Sequence, residues 1–113
     1  MGQTFTRRLT LEVPVRLADG GGGQELTWAT RGGFWAEVRM RSGALRDETF
    51  GRRSRLSVRV RMPAVPEGHA MRPRPGDRLR NGGQVYEVEA VHSDDGRVLT
   101  ALARVLTGAG GAA

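Results

Sequence analysis

The chain has 113 residues and a mass of 12.3 kDa, enough for one hydrophobic core and too little for two. A chain of this length hides roughly two thirds of its unfolded surface on folding, so it needs no covalent staples. The absence of cysteine excludes a disulfide scaffold and every zinc, haem-attachment or thiol-redox site built on Cys ligands.

No apolar run approaches the ~18 residues that span a bilayer. Arg7 and Arg8 lead into an alternating segment, not a secretory apolar block. The expectation is a soluble one-domain protein made inside the cell, with no membrane partner. All 18 basic residues are arginine, as a GC-rich genome would favour, and the formal net charge is +6. That charge is uneven. Between Arg39 and Arg80 twelve arginines face only Asp47, Glu48, Glu67 and Asp77, a local balance of +8, while the rest of the chain stands at −2. A basic middle on a near-neutral body suits an anionic partner or a solvated surface.

In chain order, Leu9, Leu11, Val13, Val15 and Leu17 alternate with polar residues. Period two predicts a strand over residues 7–17 with one buried and one wet face. Pro14 cannot donate to a ladder, which predicts an edge or a bulge there. Asp19 and four consecutive glycines, residues 20–23, predict a flexible hairpin loop.

Residues 25–41 form the second strand, with Leu26, Trp28, Phe34, Ala36, Val38 and Met40 assigned to the core face. Arg31-Gly32-Gly33 predicts a bulge or bend midway. Trp35 falls on the opposite face from Phe34. Alternation lapses after Ser42-Gly43, giving a connection long for a hairpin. It resumes with Leu56, Val58, Val60 and Met62 inward and Arg53, Arg55, Arg59 and Arg61 outward, about 7 Å apart along the strand.

Prolines and glycines make residues 63–76 an irregular crossover. A short strand over residues 77–80, the Asn81-Gly82-Gly83 turn and a strand over residues 85–92 follow. Ser93-Asp94-Asp95-Gly96 turns into a last strand over residues 97–107, and residues 108–113 read as a frayed tail. About six strands and no amphipathic helix predict an all-β fold, a small single-domain barrel over residues 1–107.

Catalytic motifs are missing. His69 and His92 are the only histidines, and no spacing offers a metal-ligand set, so neither a metal nor a cofactor is expected. No serine sits in a Gly-x-Ser-x-Gly elbow, and Asp94-Asp95 belongs to a turn. Glycines 20–23 lack the Gly-Lys-Ser/Thr ending of a phosphate loop. The arginine face of residues 53–61 reads in two ways: contact with nucleic acid or an acidic protein surface, or cross-strand pairing with Glu37, Glu87 and Glu89. Trp35, on the outward face, reads either as an interface anchor, with Arg59 and Arg61 as its companions, or as a side chain packed under the long loop.

The ordered set of segments resembles the phage head–tail joining proteins, of the head-completion or stopper kind. It comprises Arg8-Leu9-Thr10-Leu11, the glycine turn, Glu25-Leu26-Thr27-Trp28, and Phe34-Trp35-Ala36-Glu37-Val38-Arg39 leading to Ser42-Gly43. It continues through Leu56-Ser57-Val58-Arg59-Val60-Arg61 and Arg74-Pro75-Gly76-Asp77-Arg78-Leu79-Arg80. Gly82-Gly83-Gln84-Val85-Tyr86-Glu87-Val88 and Asp94-Asp95-Gly96-Arg97 complete it, covering residues 4–107.

The resemblance implies a ring, hexamer or dodecamer, below the portal and adaptor of a phage, prophage or gene transfer agent particle. Such a ring closes the DNA exit channel, docks the tail through tail terminator or tube proteins, and touches double-stranded DNA without reading sequence. It assembles in the bacterial cytoplasm and resides at the head–tail interface of the virion. The implied channel loop is residues 42–55, with Arg46, Arg52, Arg53 and Arg55. The crossover around residues 65–73 is longer than the family's usual connection. Two other functions compete: a stand-alone nucleic-acid-binding barrel of the OB or SH3-like type, and another connector ring such as a tail terminator. An enzyme is the least supported class.

Overall fold

The computed structural model describes residues 5–41, 56–93 and 95–106. Its six strands are β1 (Arg7–Ala18), β2 (Gln24–Arg41), β3 (Ser57–Pro63), β4 (Arg78–Asn81), β5 (Gln84–Ser93) and β6 (Val98–Val105). They close into a barrel in the order β1-β2-β3-β6-β5-β4, with every neighbouring pair antiparallel. The all-β reading holds, with no helix among the described residues.

Alternation explains the core. Leu9 and Leu11 of β1, Ala36 of β2, Val58, Val60 and Met62 of β3, Leu79 of β4, Val88 of β5, and Leu99, Ala101 and Ala103 of β6 all point inward and are buried. Small Ala101 and Ala103 on one strand stand opposite Val60, Val91, Val58 and Val88 on its neighbours, an alternation of small and large side chains that suits a narrow barrel. The barrel closes through β4, which pairs with β1 only at Glu12–Arg78, Leu11–Leu79 and Thr10–Arg80.

Antiparallel order sorts the connections to two ends. The starts of β1 and β3, the end of β2, the Gly82-Gly83 turn and the end of β6 lie at one end. The β1–β2 hairpin, the β3–β4 crossover and the β5–β6 turn lie at the other, here called the hairpin end. The crossover covers the barrel mouth there. Ala64, Val65 and Met71 pack on the core, and Pro73 is fully buried. Ala64 N–H donates to the Arg97 carbonyl and Gly76 N–H to the Val88 carbonyl, each at 2.9 Å.

The bulge expected at Arg31 exists and changes what the sequence pattern means. Leu11 pairs with Gly32 but Glu12 pairs with Thr30, so Arg31 is the extra residue. A one-residue shift flips every side chain beyond it to the other face. Phe34 and Ala36 therefore face the core, whereas Trp28 and Leu26, assigned to the core by simple parity, lie on the exterior. Gly32 has φ +150° and would bring a Cβ to 3.3 Å from the Met71 sulfur, so the bulge also seats the crossover.

Candidate interaction surfaces

The exterior of the barrel is laced by cross-strand ion pairs. Glu12 on β1, itself buried, accepts from Arg80 on β4 at 3.0 and 3.4 Å, a two-pronged clasp over the closing seam. Arg104 on β6 donates to Glu87 on β5 at 2.6 Å and lies 3.6 Å from Glu89. The Glu87 carboxylate raises the Arg104 pKa, first through that hydrogen bond. Glu37 on β2 pairs with Arg39 on its own strand at 3.3 Å.

These pairs decide how the β3 arginines sit. The three glutamates expected to neutralise them are bound by Arg39 and Arg104. Arg59 stands directly opposite Arg39 in the β2–β3 register, and Arg61 opposite Glu37. Among the described residues neither Arg59 nor Arg61 makes an ion pair. Like charges facing one another across strands cost stability. An acidic counter-surface would offset that cost.

Both tryptophans are exterior and each lies under an arginine. The Arg8 guanidinium is 5.4 Å from the Trp35 ring centroid, and the Arg78 guanidinium is 4.0 Å from that of Trp28. Trp35 keeps half its surface exposed. Arg8 reaches it by lying across Gly33, where a Cβ would meet the Arg8 Nε at 2.7 Å. Any side chain at residue 33 would displace that guanidinium.

Beyond Glu12 the β1–β2 hairpin leaves the barrel. Residues 13–18 and 24–29 pair only with each other among the described residues, and past the buried Val13 they form a projecting two-stranded ribbon. Pro14 sits on its free edge, as a residue without an N–H should. The glycine tip is more ordered than its composition suggests. Asp19 accepts from the N–H groups of Gly21 and Gly23 at 2.9 and 3.0 Å, and these donors hold its carboxyl below the usual range.

Between the ribbon base and the crossover lies an open cleft of 520 Å³, lined by Val13, Arg31, Arg72, Pro73, Arg74 and Val91 among others. Arg72 is anchored by donating to the Val65 carbonyl at 2.9 Å. His69 Nδ1 accepts from the Met71 N–H at 3.0 Å. Asp77 forms the floor, buried, its carboxylate accepting from the Arg74 N–H at 2.9 Å.

Burial pushes the Asp77 pKa up, outweighing that hydrogen bond and the nearby Arg74 and Arg31 charges. Its folded pKa thus lies above the unfolded value. Its contribution to stability is complete below the ordinary value of 3.8 and is lost as pH rises through the raised one. Asp77→Asn keeps an oxygen for the Arg74 N–H and cannot ionise. Urea unfolding across that window is expected to show stability falling with pH in the wild type and staying flatter in the variant. Parallel curves for the two proteins would refute this.

Sequence reasoning placed Trp35, Arg59 and Arg61 on the exterior, and there they are, on adjacent β2 and β3. Arg46, Arg52, Arg53 and Arg55 lie outside the described residues, as does the tail at 108–113. The cleft arginines were not singled out. Arg31 had a signal in its place beside Gly32-Gly33, where a bulge leaves one side chain unpaired; Arg72 and Arg74 had none beyond charge. Among the described residues no group of three His, Asp or Glu is placed to hold a metal ion.

The sequence profile described as phage head completion protein matches residues 2–105. A chain from the virion of a native gene transfer agent particle is similar at 37% identity, over 93% of this chain and 98% of that one, with a TM-score of 0.73. Protein SF1141 from Shigella flexneri 2a, solved in solution, shares the fold at 18% identity and TM-score 0.69, over 91% of this chain and 94% of that one. No curated protein sequence matches this chain. The barrel, its exterior and these likenesses agree: the chain belongs to the phage head completion protein family.

Proposed function

We propose that this chain forms a ring below the portal and adaptor of a phage-like particle, closes the DNA exit channel after packaging, and docks the tail. The observation that carries the reading is family membership over residues 2–105, which makes the chain a structural virion protein with a head–tail connector role. The topology supports the finer assignment. The β2–β3 connection departs where Arg41 pairs with Ser57, at the barrel end away from the ribbon and cleft. Its Arg46, Arg52, Arg53 and Arg55 are then the residues that face the channel and hold duplex phosphates without reading sequence.

Trp35, Arg59 and Arg61 form the contact with an adjoining connector ring. A half-exposed tryptophan beside arginines that find no carboxylate among the described residues has the composition of an interface anchor. Partner carboxylates would relieve the Arg39–Arg59 opposition. The partners are further copies of this chain, an adaptor or portal ring, a tail terminator or tube protein, and channel DNA. A ring repeats one contact around a circle, so weak interfaces accumulate.

Electron microscopy of assembled particles tests the reading. This chain is expected as a closed ring between portal and tail, with the β2–β3 connection toward the lumen. Density for it elsewhere in the particle, or as isolated monomers on DNA, would refute the proposal and favour a stand-alone DNA-binding barrel.

A further inference from the structure

We propose that the β1–β2 ribbon of one copy docks its acidic tip into the arginine cleft of the next copy, a head-to-tail contact that joins ring neighbours. The inference rests on the ring reading above and names the surface that makes the ring.

Four observations carry it. The ribbon projects from the barrel, and a two-stranded hairpin is marginal in water unless something packs on it. Leu17 and Leu26, 50% and 46% exposed, lie on its opposite faces, so both faces present apolar surface near the tip. The tip is preorganised and net anionic, Asp19 and Glu25 outnumbering Arg16: Asp19 clamps the glycine turn, and Glu25 sits across from Leu17. The cleft is its chemical complement. Arg31, Arg72 and Arg74 line it together with the apolar Val13, Pro73 and Val91, and its acids among the described residues are only Glu67 and the inward-turned Asp77.

The geometry names the occupant. The cleft lies at the base of the ribbon, and the extended strand from Val13 to Ala18 holds the tip about 17 Å away from it. A chain cannot lay its own tip in its own cleft. The tip that enters belongs to another copy, and the contact uses two different patches. Such a heterologous contact propagates, and it closes into a ring when the rotation allows.

Cross-linking in assembled particles tests this, because the chain has no cysteine of its own. Gly21 tolerates a side chain, its Cβ meeting only the Asp19 Oδ1 at 3.7 Å, whereas Gly23 would clash at 2.9 Å. Ala70 lines the cleft and is exposed. Oxidised particles carrying Gly21→Cys with Ala70→Cys are expected to give a ladder of linked chains on a denaturing, non-reducing gel. Either substitution alone should give monomer. Intact rings with no ladder, or linkage by one cysteine alone, would overturn the contact and leave the ring standing. Particles with no ring of this chain would overturn both.

A charge exchange checks the same contact without cysteine. Gln24→Arg with Glu25→Arg reverses the tip, and Arg31→Glu with Arg74→Glu reverses the cleft. Each pair alone should cut ring occupancy on particles about tenfold or more, as like charges meeting at an interface do. Co-expression of the two altered chains should restore it, since alternating copies again match tip to cleft. Full rings from either pair, or no restoration, would overturn the proposal.

Discussion

Replacing Arg46, Arg52 and Arg53 together with serine is expected to give particles that leak their packaged DNA. The reasoning is electrostatic. Each cation at a phosphate releases condensed counterions, so every arginine removed flattens the salt dependence of binding by about 0.9 in log–log slope. Three arginines per chain, repeated around a ring, add up to a large loss of hold. Retained DNA, read by nuclease protection at rising salt, should fall more than about tenfold at moderate ionic strength. The substitutions lie in the connection between β2 and β3, outside the strands that supply the core, so the unfolding midpoint of the isolated protein should hardly move. Normal DNA retention by such particles would remove the electrostatic part of the proposed function.

Leu79→Ala is expected to cost about 3 kcal/mol, within the range for truncating a buried leucine. That is a large share of the roughly 5–15 kcal/mol available to a small domain. Leu79 is fully buried on β4, the shortest strand, and β4 alone joins β5 to β1. It stands opposite Leu11 on one side and Tyr86 on the other. Truncation therefore loosens the seam that makes the sheet a barrel, beside the Arg80–Glu12 clasp. Urea unfolding should show a lower midpoint, whereas Leu17→Ala, half-exposed on the ribbon, should shift it little. A loss below about 1 kcal/mol for Leu79→Ala would mean that closure at β4 is not part of the cooperative unit.

Much of this architecture is written in short-range chemistry. Alternation in β1 and β3, Asn81-Gly82 before β5 and the glycine tip after Ala18 each act within a few residues, and the strand bounds fall within a residue or two of those expected, except at the start of β3, where residues 53–55 lie outside the described residues. The side-chain roles were less accessible. Trp28 shares its parity with Phe34 along the chain, yet the two lie on opposite faces because Arg31 is bulged out opposite the Leu11–Glu12 step. Glu87 and Glu89, expected opposite the β3 arginines, lie on β5, which β6 separates from β3, and there they meet Arg104, given no role by its sequence context.

An all-β chain with an arginine-rich middle, an outward Trp35 and a proline-rich crossover is legible in the order of residues, as is the family resemblance. Those features follow from backbone preferences and period-two patterning, which are local. Closure of the sheet through β4, projection of the ribbon from the barrel and convergence of Arg31, Arg72 and Arg74 on one cleft emerge from the folded chain. Register across strands depends on where a bulge falls, and which charges meet depends on strand order in the barrel. Both are set by packing between residues far apart in the chain, as Glu12 and Arg80 are, and no local pattern encodes them.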